Sequence, residues 1–442
     1  MIRRTLLKKL ILTVTIILWV STAHAANWYV RPNGGPYGSA SGTDWNNAWA
    51  GLSSINFSSV SCGDTIWVAG GTYTSALTPA KTCTSGNVLA IRTARTDATQ
   101  STGATGWSSS YASTVHQTGG NGINFASTSS YVTISGRTTG SGGSNGWWID
   151  LTGQTAGAGV FFADSQSNTY ATIEYMDLQG AGNITYTGTA RGIDNTPYNG
   201  DSIGACFSHL KIWGWDSGAY QAFSDHATYE YIEMYDIGAA NWSSFHPNGI
   251  YVNSSNFLTV RYSKFHVGPN GNGVGEGIYC QGGTCDNWQI YGNSFYHLNA
   301  AGWKAMNLGV SVNNLKLFNN TYNDVTLVLY HPENCSGASD EFKNNLMFNS
   351  GNASCGTTSN NINDSSPNPF VDSTNNDYHI VSTMGTGYPR NTGTNLSAYF
   401  TTDMDGTTFG TDGAWDIGAY EFATGGIPIS SKPASPVLTT VN

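Results

Sequence analysis

Three short stretches of the chain repeat one pattern: residues 290–295 are IYGNSF, residues 317–322 are LFNNTY and residues 342–347 are FKNNLM. Each begins with an apolar anchor, carries Asn three residues later and has a second large apolar residue five places after the anchor. Similar anchors recur along the chain at intervals of 20 to 39 residues. Self-similarity at this period indicates a solenoid of stacked coils.

Two inward-facing columns of side chains are predicted by this spacing. The anchors are Ile173, Ile212, Ile232, Val260, Ile290, Leu317 and Phe342. The residues five places further on are Leu178, Ser217, Ile237, Phe265, Phe295, Tyr322 and Met347. All but Ser217 are large and apolar, so we expect both columns to face a core. Asn293, Asn320 and Asn345 predict a ladder in the turn, because Asn bonds neighbouring backbone there and tolerates a left-handed conformation.

A further strand precedes most anchors. Residues 249–252 (GIYV) and 277–280 (GIYC) alternate with period two, which is typical of strands and not of helices. The predicted fold class is all-β: a right-handed parallel β-helix with a short N-terminal helical cap and an irregular C-terminal closure. An antiparallel sandwich also has evenly spaced turns, but it gives no reason for one register to recur.

Residues 1–25 are interpreted as an export signal. A basic start is followed by an apolar run from Leu10 to Val20 and by Ala23-His24-Ala25, a small-x-small cleavage pattern. An uncleaved membrane anchor is the alternative, although the run is shorter than the roughly 20 residues that a spanning helix needs. We therefore expect a secreted or cell-surface protein without a later membrane span.

The net charge argues against two classes of partner. Loss of residues 1–25 removes four basic residues, so 14 basic residues remain against 28 acidic ones and the formal charge changes from −10 to −14. Such a surplus of negative charge disfavours nucleic acid and anionic membranes. The expected partner is an extracellular polysaccharide, and the sequence indicates no oligomeric state.

All seven cysteines follow the export signal, where oxidation is permitted. Their spacing predicts three local disulfides. The pairs are Cys62 with Cys83, Cys280 with Cys285, and Cys335 with Cys355. Cys206 is left over in an apolar strand pattern, which favours a buried, inert thiol over a nucleophile.

The mature chain divides into four parts. Residues 26–100 form an N-terminal cap and the first coils, residues 101–365 the β-helix coils, residues 366–422 a closing segment and residues 423–442 a disordered tail or linker. A helical turn from Asp44 to Leu52 would place Trp45, Trp49 and Leu52 over the exposed end of the core.

Segments at both ends resemble secreted bacterial right-handed parallel β-helix proteins of the pectate-lyase-like superfamily. The residues that carry the resemblance are 29–30, 45–48, 63–68 and 71–73 near the start, and 369–370, 377–380 and 416–421 near the end. Together with the Gly-Ile-Tyr coils, the resemblance covers nearly the whole mature chain and implies the fold. It implies no single activity, because the superfamily includes lyases, hydrolases, epimerases and proteins without known catalysis.

A charged column is predicted four places after the anchors: Asp177, Asp216, Asp236 and Lys264. Adjacent coils lie about 4.8 Å apart, so stacked carboxylates repel one another unless a cation intervenes. We expect Asp216 and Asp236 to hold Ca²⁺, which prefers hard oxygen ligands, with Lys264 as a base. The alternative is that the aspartates face water and Lys264 only balances their charge.

An outward column is predicted one place after the anchors: Glu174, Trp213, Glu233, Arg261, Tyr291 and Phe318. Flat rings such as Trp213 and Tyr291 beside charged groups suit a sugar-binding face, although long loops can equally cover them. Arg261, next to Glu233 of the previous coil, is a second candidate catalytic residue. A surface ion pair explains Arg261 equally well.

A second polar cluster precedes the Gly-Ile strands. Asn248 and Glu276 are expected to stack on adjacent coils, with His246 and His266 in the flanking turns. His suits a catalytic base and Glu a metal ligand, while Asn248 and His266 are candidate substrate contacts. Ordinary turn polarity explains the same four residues.

These candidates suit β-elimination on a uronate polymer, because that reaction needs a neutralised carboxylate and a base. The leading hypothesis is an extracellular polysaccharide-active protein, a calcium-assisted lyase of acidic glycans. The competing hypothesis is a non-catalytic surface or matrix protein that binds glycan or acts as a spacer or adhesin, which the tail composition favours. The chain has no P-loop and no His-Glu-x-x-His motif.

Overall fold

The computed structural model describes residues 25–125, 129–140, 143–154, 156–162, 170–182, 190–196, 202–238, 247–384 and 387–422. The tail and almost all of the export signal lie outside these residues, so both stay predictions. Within the described ranges, the helices are too short to satisfy the length and hydropathy that a membrane crossing requires.

Three stacks of parallel strands form the body of the molecule. The first sheet contains Asn27–Arg31, Thr65–Val68, Leu89–Thr93, Val132–Ser135, Thr172–Gln179, Cys206–Trp213, Thr228–Glu230, Thr259–Arg261, Gln289–Tyr291, Lys316–Phe318, Glu341–Lys343 and Thr357–Ser359. The second sheet contains Gly71–Tyr73, Val115–Gln117, Trp147–Asp150, the C-terminal halves of Thr172–Gln179 and Cys206–Trp213, Glu233–Tyr235, Lys264–His266, Ser294–Tyr296, Thr321–Asn323, Leu346–Phe348 and Ile362–Asp364. The third sheet contains Ile123–Phe125, Gly157–Phe162, Ala190–Asn195, Ser217–Ala222, Asn248–Asn253, Glu276–Gly282, Lys304–Leu308 and Leu327–Tyr330.

The remaining elements are short. The other strands are Trp49–Ala50, the parallel pair Ser202–Ile203 and Ser224–Asp225, and the antiparallel hairpin Phe370–Asp372 and Asp377–Ile380. The helices are the α-helix Thr99–Thr102 and the 3₁₀ turns Leu52–Ser54, Ser109–Ala112, Pro332–Cys335 and Ser373–Asn375. Because the chain visits the three sheets in turn and pairs in parallel with the previous coil, the predicted right-handed parallel β-helix is confirmed.

Strand pairing sets the register of the two inward columns. In the first sheet, Ile173 is aligned with Phe207, and Phe207 with Tyr229. The predicted anchors are correct from Val260 onwards. The column five places further on is Leu178, Ile212, Met234, Phe265, Phe295, Tyr322 and Met347. Every residue of both columns is at most 2 % exposed, so the spacing of five residues defines the core.

Two predicted anchors, Ile212 and Ile232, are wrong. Ile212 is aligned with Leu178 and belongs to the second sheet. The strand Cys206–Trp213 continues through both sheets and carries two apolar residues five places apart, so apolarity alone does not tell which one is the anchor. Ser217, the polar exception in the predicted column, begins a third-sheet strand.

The predicted Asn ladder is confirmed. Asn293 Nδ2 donates to Asn320 Oδ1 at 3.0 Å, and Asn320 Nδ2 donates to Asn345 Oδ1 at 3.0 Å. Each of the three side chains is fully buried, and each amide also donates to a backbone carbonyl of the preceding coil. The ladder therefore satisfies the buried backbone groups where the chain passes from the first to the second sheet.

The left-handed residue of this turn comes one place before the ladder. Asn319 and Asn344 have φ of 46° and 56°. Tyr175, His209, Tyr231 and Tyr262 occupy the same position in earlier coils, with φ between 52° and 57°. A left-handed conformation costs a residue with a side chain roughly 1–2 kcal/mol. The four rings stack on one another with centroid distances of 4.2, 4.6 and 5.3 Å, which offsets part of this cost.

The N-terminal end is covered, but not by a helix from residue 44 to 52. Trp49–Ala50 forms a short strand against Val30 and Arg31, and that pairing leaves only the 3₁₀ turn Leu52–Ser54. Trp49 and Leu52 join the main core as predicted. Trp45 instead lies in a separate cluster with Tyr29 and Trp67, beside the α-helix Thr99–Thr102.

All three predicted disulfides are present. They join Cys62 to Cys83, Cys280 to Cys285 and Cys335 to Cys355. Cys206 is the free cysteine, and burial together with the nearby charge of Glu230 raises the pKa of its thiol. The thiol is therefore poorly suited to act as a nucleophile.

The closing segment, residues 366–422, packs along the side of the last coils. Its apolar residues form one cluster with Tyr291, Tyr296, Phe318 and Phe348 of the β-helix. Asn319 Nδ2 donates to the carbonyls of Asp416 and Gly418 at 2.9 Å, and Tyr262 Oη donates to the carbonyl of Thr402 at 3.0 Å. The segment therefore covers the outer faces of the first and second sheets over these coils.

Replacing the central ladder residue, Asn320→Ala, should destabilise the protein by about 2–4 kcal/mol, because buried partners on both adjacent coils lose hydrogen bonds. Chemical denaturation followed by circular dichroism measures this. The control is Asn352→Ala, since Asn352 is exposed, and it should change stability by less than about 0.5 kcal/mol. Equal effects of the two substitutions would show that the ladder does not stabilise the coils.

His379 predicts a pH dependence of the closing segment. Its Nδ1 lies 2.5 Å from Asp377 Oδ1 and its Nε2 lies 2.6 Å from Asp405 Oδ2. Burial lowers the pKa of His379, but the hydrogen bonds and charges of the two aspartates outweigh burial and raise it above 6.5. A raised folded-state pKa means that the stabilisation is complete below about pH 6.5 and is lost as the pH rises through the folded-state pKa.

In the unmodified protein, the free energy of unfolding should fall as the pH rises above about 6.5, and this fall should be smaller in His379→Gln. Urea denaturation at several pH values measures the free energy of unfolding of both proteins. His297→Gln is the control, because His297 also contacts an aspartate but is 38 % exposed. An unchanged pH dependence in His379→Gln would contradict the prediction.

Candidate functional site

The corrected register builds a charged column on the outer face of the second sheet. Asp177 is aligned with Lys211, Lys211 with Glu233 and Glu233 with Lys264. Charges therefore alternate from coil to coil, so side chains on neighbouring coils attract one another. In the predicted column, the stacked aspartates would have repelled one another. Asp177 also accepts a hydrogen bond from Asn145 Nδ2 at 2.8 Å.

A second column, two residues further along each strand, is rich in rings. It consists of Gln179, Trp213, Tyr235 and His266. The rings of Trp213 and Tyr235 are nearly parallel, with centroids 5.9 Å apart, and those of Tyr235 and His266 lie 5.2 Å apart. We call the eight residues of the two columns the charged-aromatic face.

The charged-aromatic face has definable limits along the solenoid. Towards the N-terminus it continues into Trp148, which is aligned with Asp177 and stacks on His116 at 4.2 Å. Towards the C-terminus the ring row reaches Tyr296, which is 4 % exposed and packs against Tyr378 of the closing segment. The face therefore ends where the closing segment begins.

Glu233 has basic side chains close to both of its carboxylate oxygens. His266 Nε2 lies 3.2 Å from Glu233 Oε1, and Lys211 Nζ lies 3.8 Å from Glu233 Oε2. Burial raises the pKa of Glu233, but the hydrogen bond and charge of His266 and the charges of the two lysines outweigh burial. The pKa of Glu233 is therefore below its ordinary value, and the side chain is ionised at neutral pH.

The two lysines beside Glu233 differ. Lys211 contacts Glu233 and also lies 5.3 Å from the centroid of the Tyr235 ring, so its ammonium is held by two neighbours. The Nζ of Lys264 forms no hydrogen bond, and no ion pair within 4 Å, with any residue that the structure describes, although its charge acts on Glu233. The face thus offers one cation held by close neighbours and one without a close contact, on alternate coils.

Depressions flank the face on both edges. One of about 330 Å³ is lined by Asp177, Lys211 and Glu233 together with His209 and Tyr231. Another of about 110 Å³ lies at the opposite edge. Its lining includes Gln179, Trp213, Asp236, Asn270 and Asn272. A ligand on the face therefore has room beside both columns.

The predicted stack of Asp216, Asp236 and Lys264 is wrong, because it was counted from Ile212 and Ile232. Lys264 is aligned with Glu233. Asp236 lies beyond its strand, where its carboxylate accepts hydrogen bonds from Asn270 Nδ2 at 3.1 Å and Asn272 N at 3.2 Å. Asp216 is 1 % exposed and also follows its strand.

The surroundings of Asp236 fit a calcium ion poorly. Ca²⁺ is bound by six to eight oxygen ligands, so a site needs several acids or carbonyls to converge. Among the described residues, neither Asp216 nor Asp236 belongs to a group of three potential metal ligands. A requirement for calcium stays a prediction, and these two residues do not account for it.

Arg261 and Tyr291 lie on the first sheet and not on the charged-aromatic face. Arg261 is aligned with Glu230, not with Glu233, and its Nε and Nη2 donate to Glu230 Oε2. Its Nη1 donates to Tyr291 Oη at 2.9 Å. Tyr291 is 2 % exposed and stacks on Phe400 of the closing segment. Tyr291 is therefore buried, and the guanidinium of Arg261, although its side chain is 24 % exposed, is held by Glu230 and Tyr291, which disfavours direct contact of either side chain with substrate.

Asn248 and Glu276 are aligned on adjacent third-sheet strands, as predicted. Glu276 is 1 % exposed, and its Oε1 accepts hydrogen bonds from Lys304 Nζ at 2.7 Å and Asn307 Nδ2 at 2.8 Å. This buried ion pair explains Glu276 without a metal. His246 lies outside the described residues.

The structure brings three predicted site residues together and adds others. Lys264, Trp213 and His266 share the charged-aromatic face, with the functions predicted for them still untested. The sequence analysis did not identify Lys211 and Tyr235 as site residues, and it placed Glu233 in the wrong column. The signal that could have found them is the alternation of Lys211, Glu233 and Lys264, which appears only when the strands are aligned from Phe207 and Tyr229.

Comparisons with known proteins give no match in sequence: no protein-family model and no curated protein matches the chain. Solved structures are similar in shape. Pectate lyase Pel9A is 16% identical, with 90% of this chain and 96% of that chain covered and a TM-score of 0.46. A complex of XylC with xylose is 9% identical, with 76% and 69% covered and a TM-score of 0.42.

An alginate lyase from Paenibacillus sp. str. FPU-7 is 14% identical, with 69% of this chain and 97% of that chain covered and a TM-score of 0.39. Identities and TM-scores this low say nothing about the activity of this chain. The parallel β-helix described above rests on the strand pairings of the chain itself.

The contact between His266 and Glu233 predicts a measurable pKa change. In His266→Ala, the pKa of Glu233 should rise towards its ordinary value, because the largest pKa-lowering contact is removed. Carboxyl carbon NMR titration of the protein measures it.

His116→Ala is the matched control. His116 lies 3.1 Å from Asp150. Burial raises the pKa of Asp150, but the hydrogen bonds of Thr152 and His116 outweigh burial, so the pKa is below its ordinary value. That substitution should raise the pKa of Asp150 and leave Glu233 unchanged. A Glu233 titration that is the same with and without His266 would contradict the geometry of the face.

Proposed function

We propose that this protein is an extracellular polysaccharide-active protein and that the charged-aromatic face binds the glycan. The observation that supports the proposal is the row Trp213, Tyr235 and His266 beside the alternating charges of Lys211, Glu233 and Lys264. Sugar rings present C–H groups that pack on aromatic faces, while their hydroxyl groups need charged or polar partners.

The ligand class that we propose is an acidic, uronate-containing glycan. The mature chain has 14 basic residues against 28 acidic ones, and two of those basic residues, Lys211 and Lys264, lie on the face. Lys211 and Lys264 lie on alternate coils, roughly 10 Å apart at about 4.8 Å per coil. Two cations at this separation suit carboxylates that recur along a polymer.

The reaction that we propose is β-elimination. Removal of the proton beside the uronate carboxylate forms a C=C bond while the neighbouring glycosidic C–O bond breaks, and the departing oxygen takes up a proton from solvent or from the protonated base. The reaction therefore requires one group that neutralises the carboxylate and another that removes the proton. Lys211, whose Nζ lies 3.8 Å from Glu233 and 5.3 Å from the centroid of the Tyr235 ring, suits the first role. Lys264, whose Nζ forms no hydrogen bond or close ion pair with a described residue, suits the second once its own proton has been lost to solvent. Calcium, as expected from the sequence, would assist the first role, and the assay below includes it as a variable.

A non-catalytic glycan-binding spacer or adhesin is the second candidate. The observation that favours it is the charge balance of the face, since Asp177 and Glu233 match Lys211 and Lys264. A balanced face can hold a glycan without activating it. Export is part of both proposals: three disulfides agree with an oxidising compartment, and the export signal stays a sequence prediction.

The mature protein should release unsaturated products from at least one of three polymers: polygalacturonate, alginate and glucuronan. Ultraviolet absorbance measures these products, in parallel reactions with calcium and with a chelator. Lys264→Ala should lower the rate about 10²–10⁴-fold, as loss of a general base does. Its thermal midpoint should stay nearly unchanged, because Lys264 has no partner to lose among the described residues.

Lys81→Ala is the matched control, because it removes a lysine whose Nζ contacts the Phe57 carbonyl, far along the chain from the face. It should keep full activity. Retained glycan binding without any product would support the adhesin or spacer. New reducing ends without unsaturation would indicate hydrolysis by the carboxylates and overturn β-elimination.

A further inference from the structure

Three carboxylates of the closing segment converge away from the charged-aromatic face. One oxygen of each of Asp412, Asp416 and Glu421 lies within 4.8 Å of the others. The side chain of Asp412 is 3 % exposed, and Asp416 and Glu421 are 0 % and 2 % exposed. Three acids so close together and so well buried repel one another strongly unless positive charge is near.

Backbone donors hold two of these acids in place. Asp416 Oδ1 and Oδ2 accept from the backbone N–H groups of Asn391 at 2.6 Å and Phe422 at 2.7 Å. Glu421 Oε1 and Oε2 accept from those of Gly410 at 2.7 Å and Asp416 at 3.0 Å. The carboxylates are therefore fixed relative to one another, and a carboxylate oxygen that accepts one N–H keeps a second lone pair.

Within the part of the chain that the structure describes, one basic side chain contacts the group. Arg390 Nε donates to Asp412 Oδ2 at 2.7 Å, and Arg390 Nη2 contacts the same oxygen. One guanidinium offsets one carboxylate, so the group keeps a surplus of negative charge. Arg390 does not contact the other carboxylate oxygen of Asp412, Oδ1.

Two oxygens beside the group lack a hydrogen-bond donor among the described residues. They are Asp412 Oδ1 and Asn391 Oδ1, and both are buried. Asn391 Oδ1 lies against Gly413, because a Cβ added to Gly413 would be only 2.4 Å from it. A buried acceptor without a donor is unfavourable, and it points to a partner that is neither a backbone amide nor a side-chain donor.

We infer that Asp412, Asp416 and Glu421, with the amide oxygen of Asn391, form a calcium-binding site. All of the donor atoms are hard oxygens, which Ca²⁺ prefers and Zn²⁺ does not. Calcium accepts six to eight oxygens in flexible geometry, whereas Mg²⁺ demands a near-ideal octahedron and gives up its waters reluctantly, so a buried group of protein carboxylates suits calcium better.

The ion would stabilise the closing segment against the coils. Asp416 and the following residues contact the β-helix directly, through Asn319 and Thr321. This site is independent of the proposed glycan reaction, and its ligands differ from Asp216 and Asp236. Either proposal can therefore be correct when the other is wrong.

Calorimetric titration and thermal unfolding of the chelator-treated mature protein test the site. Calcium should bind and raise the thermal midpoint, with Mg²⁺ much weaker. At a free calcium concentration 100 times the dissociation constant, the ratio of folded to unfolded protein should rise about 100-fold. Asp412→Asn and, independently, Glu421→Gln should abolish or strongly weaken this response.

Two controls separate the site from simpler explanations. Arg390→Gln removes the ion pair of Asp412 but keeps all three carboxylates, so the calcium response should persist. Asp236→Asn should also keep it. Absence of a calcium response in the unmodified protein would overturn the inference, and so would a response that survives in Glu421→Gln or that disappears in Asp236→Asn alone.

Discussion

Every side-chain column in this protein depends on one constraint: the main chain returns to the same position on each coil, so equivalent residues lie directly above one another. Five residues separate the two inward side chains of each coil, with a left-handed residue between them. The buried Asn ladder strengthens this register, because Asn293, Asn320 and Asn345 bond both to one another and to the backbone of adjacent coils. A shift of one coil by a few residues would break those bonds and bring like charges together.

The outer faces show how the register affects electrostatics. On the second sheet, Asp177, Lys211, Glu233 and Lys264 alternate in sign, so the stack is favourable without a metal. On the first sheet, Arg261 pairs with Glu230, which is 1 % exposed, and that pair is shielded by the closing segment. The two faces use the same residue types, but the acid of the first-sheet pair is buried, whereas Glu233 on the second sheet is 39 % exposed.

The closing segment determines which coils are available to a ligand. By packing on Tyr291, Tyr296 and Phe318 it covers the aromatic residues of the later coils and leaves Trp213 and Tyr235 beside flanking depressions. A calcium ion bound to Asp412, Asp416 and Glu421 would act on the stability of the closing segment and not on the glycan. Cation dependence and glycan activity can be measured separately for this reason.

The sequence by itself determined the solenoid, the Asn ladder, the strand that opens each coil and the three disulfides, because these depend on residue type and on spacing within one coil. It also named Trp213, His266 and Lys264 as candidate site residues, and the structure places these three on one face. Only the tertiary structure decided which residues of neighbouring coils meet. Coil lengths vary, and strands such as Cys206–Trp213 contain two equally apolar candidates for the anchor. Choosing Ile212 in place of Phe207 moved Asp216 into the site and left Lys211 out. The covering of Tyr291 by a segment more than a hundred residues later likewise depends on packing that no local pattern encodes.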